Sequence, residues 1–364
     1  MRINLMGDVM FAELLETYRR GLATLLDRTD TDPFAHVRPH LAGGDLNVVN
    51  LESVLSDNSV LGEPFSRILI AAPRTVDLLV GAGINVANTA NNHALDHGEA
   101  AFARSCALLE ERGIAVIGYA PGRWFQQEPV VRTVAGRRVG LLGYNIANFP
   151  AADRDGVMAR AAAVVRAARP AVDVLLVSVH WGEEYTNVPP AHVVGYGRRL
   201  LEAGCDVLHG HHSHQVQGVH DDGSRVFAPS LGNFVFDQKV EANRITAILQ
   251  VEVGPEGTAH AWVPCRMNDR YQPVPAPEHA AYLADLDAKL AEALAGRGAA
   301  GRDQAITARV QAGHRDNRIR MRLGMLAHFW DFLPHLAAIR AYRRSPTPMF
   351  SVIRSSADLP GGGR

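Results

Sequence analysis

Cysteine and lysine are scarce in this 364-residue chain, and aromatic residues make up only 7% of it. The three cysteines, Cys106, Cys205 and Cys265, lie far apart, which excludes a disulfide framework and any paired-cysteine metal motif. They predict buried thiols in a reducing compartment. No apolar run approaches the ~20 residues of a spanning helix. The short run at the N-terminus meets Asp8 at once, unlike a signal peptide, so the expectation is a soluble, cytoplasmic protein. Charge of one sign is also lacking. With 37 basic and 38 acidic residues the net charge is -1, which disfavours a generally basic nucleic-acid binder, and no nucleic-acid partner is expected. Hydrophobic residues at 47% against charged residues at 21% exclude global disorder.

Histidine is plentiful: there are 16, and His209, His211, His212, His214 and His220 fall close together after the β-type run Cys205-Asp206-Val207-Leu208. Over its first two-thirds the chain alternates short apolar runs with amphipathic stretches. Strands are predicted over 3–5, 46–49, 84–87, 115–117, 139–142 and 174–179. Helices are predicted over 12–26, 74–81, 99–112, 157–168 and 191–203. That alternation defines an α/β domain. Later runs at 225–228, 245–253 and 259–265 read as successive antiparallel strands, with Gly254-Pro255-Glu256-Gly257 as a turn.

Acidic, amide and imidazole residues collect where the predicted strands end. Asp8 ends the first, Asn50 and Glu52 the second; Asn91, Asn92, His93 and Asp96 follow the third; His180 ends a later one, and His212 and His214 follow Val207-Leu208. In an open α/β sheet, ligands bind outside the carboxyl ends of strands, so these groups are expected to converge. A donor set of carboxylate, amide and imidazole without thiolate suits Mn²⁺, Zn²⁺ or Fe at a hydrolytic centre. Asp8, Glu52, Asn92, His180, His212 and His214 are the candidate ligands, with Asn50 as a ligand or a backbone-bonding neighbour. His93 is then free to act as general acid, and Asp96 to orient it or to cap the helix that follows. Asn91 and Asn233 are expected beside the site, Asn233 as a brace. Trp181 either walls the substrate pocket or packs, and Glu184 either bonds a ligand histidine or is solvated. His209, His211 and His220 read as solvated.

Six blocks carry a family resemblance: Gly7-Asp8-Val9-Met10, Asn50-Leu51-Glu52-Ser53, the run from Ala90 to Gly98, His180-Trp181-Gly182-Glu183-Glu184-Tyr185, Gly210-His211-His212-Ser213-His214-Gln215-Val216-Gln217, and Ser230-Leu231-Gly232-Asn233-Phe234-Val235-Phe236. Over about residues 1–253 the chain resembles the bacterial capsule-synthesis (CapA) and poly-γ-glutamate-biosynthesis proteins, a branch with the metallophosphatase (calcineurin-like phosphoesterase) fold. The resemblance implies a four-layer αββα sandwich with a di-metal site, holding one or two divalent ions per chain. Met10 stands where ordinary metallophosphoesterases carry a histidine, and Asn50-Leu51-Glu52 replaces their second acidic block. The ion held by Asp8 and His214 is therefore expected to lack one protein ligand. The implied activity is metal-dependent hydrolysis of an anionic, phosphate-bearing substrate. The alternatives are a non-hydrolytic accessory role or amide-bond chemistry in the assembly of an anionic polymer or peptide.

A sandwich domain is expected over 1–269, and a Pro-rich joint, helical extension and disordered tail over 270–364. The extension is predicted helical over 278–296 and 303–344. Its apolar residues lie among many arginines, which leaves three readings: packing on the sandwich, a partner or dimer surface, or an interfacial membrane helix.

Overall fold

The computed structural model describes residues 1–59, 68–297 and 299–335. In chain order the strands are β1 (Arg2–Val9), β2 (Leu46–Leu51), β3 (Val54–Leu55), β4 (Ile70–Ala71), β5 (Val86–Asn88), β6 (Ala115–Ile117), β7 (Val130–Val134), β8 (Arg137–Asn145), β9 (Val174–His180), β10 (Val207–His211), β11 (His220–Asp221), β12 (Val226–Ala228), β13 (Asn233–Val235), β14 (Ile245–Gly254), β15 (Gly257–Met267) and β16 (Pro273–Pro275). The helices are α1 (Leu22–Arg28), α2 (Arg38–Leu41), α3 (Val76–Gly81), α4 (Gly98–Glu111), α5 (Ala151–Ala168), α6 (Ala191–Glu202), α7 (Ala280–Leu294), α8 (Ala299–Ala327) and α9 (Phe329–Phe332).

Two sheets face one another. The first runs β16-β15-β14-β1-β2-β5-β6, with β13 also paired to β1; the second runs β11-β12-β10-β9-β8-β7. Strand alternation decides the layers. Ile3, Leu5, Val48 and Val86 of the first sheet meet Leu141, Leu176 and Val207 of the second in an inner core. Their sequence neighbours Val49, Ala87, Leu142, Leu175 and Val177 point outward under the helices. The α/β sandwich with C-terminal helices expected from the sequence is the observed architecture. The parallel strands β1, β2, β5 and β6, and likewise β8, β9, β10 and β12, bring their carboxyl ends to one side.

The helix predicted over 12–26 is broken into a 3₁₀ turn at Leu15–Thr17 and α1. Two buried carboxylates cause the break. Glu13 accepts the backbone N–H groups of Arg19, Gly21 and Thr24, and Asp237 accepts those of Leu14 and Leu22. Side-chain acceptors give those donors an alternative to the helical ladder. The stretch 225–228 is not one of three successive antiparallel strands. Within the second sheet β12 lies parallel to β10 and antiparallel only to the short β11. By contrast β14 and β15 form the expected hairpin through Gly254 and Gly257.

The Pro-rich joint adds β16 to β15, so the first sheet continues past residue 269. Helix α7 buries Leu283, Leu286 and Leu290, each worth about 1.5–3 kcal/mol when fully removed from water. Helix α8 then crosses the loops at the strand ends. Arg309 donates to Asn187 and Gln215, Gly313 abuts the Tyr185 ring, and Gly324 abuts the Glu16 backbone. The remainder of the predicted second helix, and the tail, lie outside the described residues. Among the described residues no helix is long and apolar enough to cross a membrane.

Candidate metal centre

Asp8 owes its position to a break in β1. The register shifts around it, because β13 approaches so closely that a Cβ on Gly7 would overlap the carbonyl oxygen of Gly232. This sets Asp8 level with Asn50 on one side and Asn233 on the other. From the facing sheet, His180 ends β9 and pairs in register with His211 at the end of β10. Beyond β10 the chain turns through left-handed backbone at His212 (φ 91°) and His214 (φ 56°), a conformation costly for residues with a Cβ and concentrated at functional sites.

Two ligand sets result. Glu52, His180 and His212 offer donor atoms within 4.8 Å of one another, and so do Asp8, Glu52 and His214. Glu52 belongs to both. Its Oε1 lies 3.8 Å from His180 Nε2 and 3.9 Å from His93 Nε2. Asp8 Oδ2, Glu52 Oε1, Asn92 Oδ1, His180 Nε2 and His212 Nδ1 are buried without a hydrogen-bond partner. Buried polar atoms are normally satisfied, and this many orphans directed at one space is the pattern a cation completes. The residues therefore fit one or two divalent ions.

The electrostatics agree. Burial, reinforced by the charges of Asp8 and Glu184, pushes the Glu52 carboxyl well above its ordinary value. Burial would also raise Asp8, yet the hydrogen bond and charge of His211, with His214 and Asn50, leave it lowered. Burial and neighbouring imidazoles hold His180 well below the usual histidine range and His212 at about 4. Both are neutral and able to ligate. A bound cation would keep them so and hold the carboxylates ionised.

His93 stands at the edge of this centre. Burial lowers its pKa, but Asp96, whose Oδ2 lies 2.7 Å from His93 Nδ1, together with the charges of Glu184 and Asp8 more than reverses that, so the net shift is upward. Helix α4 has His97 rather than Asp96 at its N-cap, and no side chain caps it. Asp96 thus serves His93. Asn92 Nδ2 lies 3.1 Å from His93 Nε2. Asn91 bonds Leu51 O and accepts from the His93 backbone, fixing the loop. Asn50 donates to Asp8 at 2.9 Å, and its carbonyl accepts from Asn88 and Asn91, so it holds neighbours rather than facing the orphan atoms. Asn233 Oδ1 meets His214 Nδ1 at 2.8 Å.

Three expectations are corrected or resolved. Trp181 does not wall a pocket: it is buried, donates to Pro229 O and packs edge-on to Phe227. Glu184 is half-buried and engaged with a histidine rather than free in solvent. His314 Nδ1 of α8 lies 3.5 Å from it, and although burial opposes this, His212, His214, His314 and His93 pull its pKa down. His209 and His211 are fully buried rather than solvated, because β10 alternates Val207, His209 and His211 onto its inner face; His220 alone of the three is half-buried. His211 Nδ1 lies 3.1 Å from Asp8 Oδ1, and its Nε2 lies 2.9 Å from Ser178 Oγ. Met10 is part of the apolar core. The sequence reading of His211 as solvated missed its contact with Asp8, and His314 was not singled out at all. The period-2 pattern of β10 carried the signal for the first. No local signal pointed to His314, which arrives from the extension.

A sandwich of two sheets flanked by helices, with a carboxylate–imidazole centre at the strand ends, is the architecture of metallophosphatase-like proteins. Residues 2–238 match the family described as bacterial capsule synthesis protein PGA_cap, and the chain belongs to that family. It is similar to a Bacillus anthracis protein named capsule biosynthesis protein CapA, 28% identical over 71% of this chain and 65% of that protein. It is similar also to PGA biosynthesis protein CapA of Bacillus subtilis (strain 168), 25% identical over 69% of this chain and 67% of that one. A third relative, from Mycobacterium tuberculosis (strain CDC 1551 / Oshkosh), is named probable polyglutamine synthesis accessory protein and is 28% identical over 48% of this chain and 51% of its own. The chain thus spans about two thirds or less of these relatives. Among solved structures, a hypothetical protein from Thermus thermophilus superposes with a TM-score of 0.45 and 15% identity, over 72% of this chain and 99% of that one.

Proposed function

We propose that this protein is a metal-dependent hydrolase acting on an anionic, phosphate-bearing substrate. The observation that carries the reading is the set of unpartnered donor atoms on Asp8, Glu52, His180 and His212 gathered beside the His93–Asp96 pair. Asp8, Glu52, His180, His212 and His214, with Asn92 at the margin, would hold Mn²⁺, Zn²⁺ or Fe. Such ions polarise a phosphoryl oxygen and make bound water acidic near neutral pH. Glu52, common to both ligand sets, sits where a bridging carboxylate would. Asp96 holds His93 through Nδ1, and Nε2, now 3.1 Å from Asn92 Nδ2, would be the atom that passes a proton to a leaving oxygen once substrate replaces the Asn92 contact. Asn233 fixes the ring of His214 in the same way, through Nδ1. The buried cysteines, all free, support a reducing, cytoplasmic setting.

A second reading is favoured by the names of the relatives, one of which is called an accessory protein in polymer synthesis. Here the same centre grips carboxylates or phosphates of a growing anionic polymer, or assists amide-bond formation, without hydrolysis. A screen of the metal-stripped protein against Mn²⁺, Zn²⁺ and Fe²⁺ with phosphomonoesters and phosphodiesters separates the two. Metal-dependent turnover that disappears in Asp8→Asn supports the hydrolase. Stoichiometric metal binding with no turnover of any ester supports the accessory reading.

A further inference from the structure

Among the described residues eight large apolar side chains stand exposed, and six of them lie between 319 and 333: Ile319, Leu323, Leu326, Phe329, Trp330 and Leu333. Trp330 is 80% exposed. Along α8 this stripe alternates with the exposed arginines Arg315, Arg318 and Arg322. The helix pair does not need the stripe for its own attachment. Its opposite face is anchored by Gly324 against the Glu16 backbone, by Met321 and Met325 against the core, and by Phe332, whose ring centroid is 5.0 Å from that of Tyr18.

Beside the stripe opens a cavity of about 530 Å³, with Leu323 and Ala327 on its wall. Arg20, Lys239 and Arg320 also line it, opposed by one carboxylate, Glu16, which is 3.6 Å from Arg320. Cationic lining and an adjacent apolar surface therefore share one side of the molecule. The acids nearby do not cancel this: Asp331 is paired with Arg19 at 3.0 Å, and Asp316 lies beside Arg315 at 3.7 Å.

We propose that the outer face of α8 and α9 docks on an anionic lipid bilayer, with a lipid phosphate seated among Arg20, Lys239 and Arg320. Charge complementarity selects this occupant. Arg315, Arg318 and Arg322 beside the stripe, with Arg20, Lys239 and Arg320 in the cavity, present a cationic surface that suits a layer of anionic headgroups. At a bilayer surface the arginine stems lie along the apolar layer while the guanidinium groups reach phosphates. Tryptophan is enriched at membrane–water interfaces, where its amphipathic ring sits at the headgroup level. The element rests on the surface and does not span it.

The test is flotation of the full chain with vesicles of phosphatidylcholine alone and of phosphatidylcholine mixed with phosphatidylglycerol, followed also by tryptophan emission. Binding to the mixed vesicles only, weakening with added salt, is expected. A blue shift that is lost in Trp330→Phe is expected with it. Leu326→Ser combined with Trp330→Ser should abolish flotation. Because both side chains are exposed, an unchanged thermal melt would show that the fold is intact. Arg20→Gln and Lys239→Gln should each weaken anionic binding by about fivefold. Flotation with neither vesicle, or equally with both, overturns the proposal. So does self-association of the native chain that Trp330→Ser abolishes, since the face would then belong to a second copy.

Discussion

Glu52 Oε1 lies 3.8 Å from His180 Nε2, and neither atom has a hydrogen-bond partner. One carboxylate from the first sheet and one imidazole from the second thus meet across the sandwich, each lacking what a cation would supply. Because Glu52 also belongs to the set with Asp8 and His214, the two halves of the centre depend on it. Replacing it with Gln keeps the shape and removes the shared charge. Elemental analysis after dialysis should find Glu52→Gln depleted in both ions. His214→Ala should lose chiefly the ion held with Asp8. Full metal content in Glu52→Gln would refute its shared position.

His93 is expected to contribute to turnover and not to metal retention. His93→Ala should keep its metal content while kcat falls by about 10²–10⁴-fold, the range for loss of a general acid. Asp96→Asn should show a smaller loss of the same kind, because it leaves the ring in place and weakens only its orientation. If His93→Ala lost metal as fully as His214→Ala, the division of roles would be wrong.

Met10 is buried in the apolar core, whereas His211 stands beside Asp8. With Nδ1 3.1 Å from Asp8, it holds that carboxyl below its ordinary value. His211→Ala should therefore weaken metal binding at the Asp8 and His214 position more than at the His180 and His212 position. Isothermal titration with Mn²⁺ should resolve the difference, with affinity at the weaker site falling by roughly 10–100-fold, as for other residues that orient ligands. Equal weakening at both positions would argue against the assignment.

Asp237 makes stability depend on pH. Burial pushes its carboxyl from 3.8 up to about 7, and the hydrogen bonds from Thr17, Leu14 and Leu22 oppose that shift without overcoming it. A carboxyl with a raised folded-state pKa binds its proton more tightly folded than unfolded. Its contribution is fully present below the unfolded value and is lost as pH rises through about 7. Thermal melts should show a component of this sign between pH ~4 and ~7, at most about a few kcal/mol. Asp237→Asn should remove that slope. A native slope of opposite sign, equally present in Asp237→Asn, would assign the dependence elsewhere.

Much of the fold was legible because it is local. Apolar runs of strand length, alternating with amphipathic stretches, specified β1, β2, β5, β6, β8, β9 and β10 but not the short β3 and β4 or the edge strand β7, and polar residues stand at the ends of several of them. The break between residues 12 and 22 was not legible. It depends on Asp237, more than two hundred residues away in sequence, which captures the N–H groups of Leu14 and Leu22. The burial of His209 and His211 was half legible, since alternation along β10 fixed their common face but not what that face meets.

What the sequence determined by itself was the identity of the donors and their order. Asp8, Glu52, His93, His180, His212 and His214 are chemically suited to a divalent cation wherever they fall, and strand periodicity sends each to the end of its own element. Only the tertiary structure decided which of them stand close enough to hold a cation jointly. It laid the first sheet on the second, set Glu52 between Asp8 and His180, and brought His211 to Asp8 and His314 to Glu184. Those pairings join residues from separate elements. Their geometry depends on how two sheets and a crossing helix bury their apolar faces against one another, a long-range term that no window of local sequence contains.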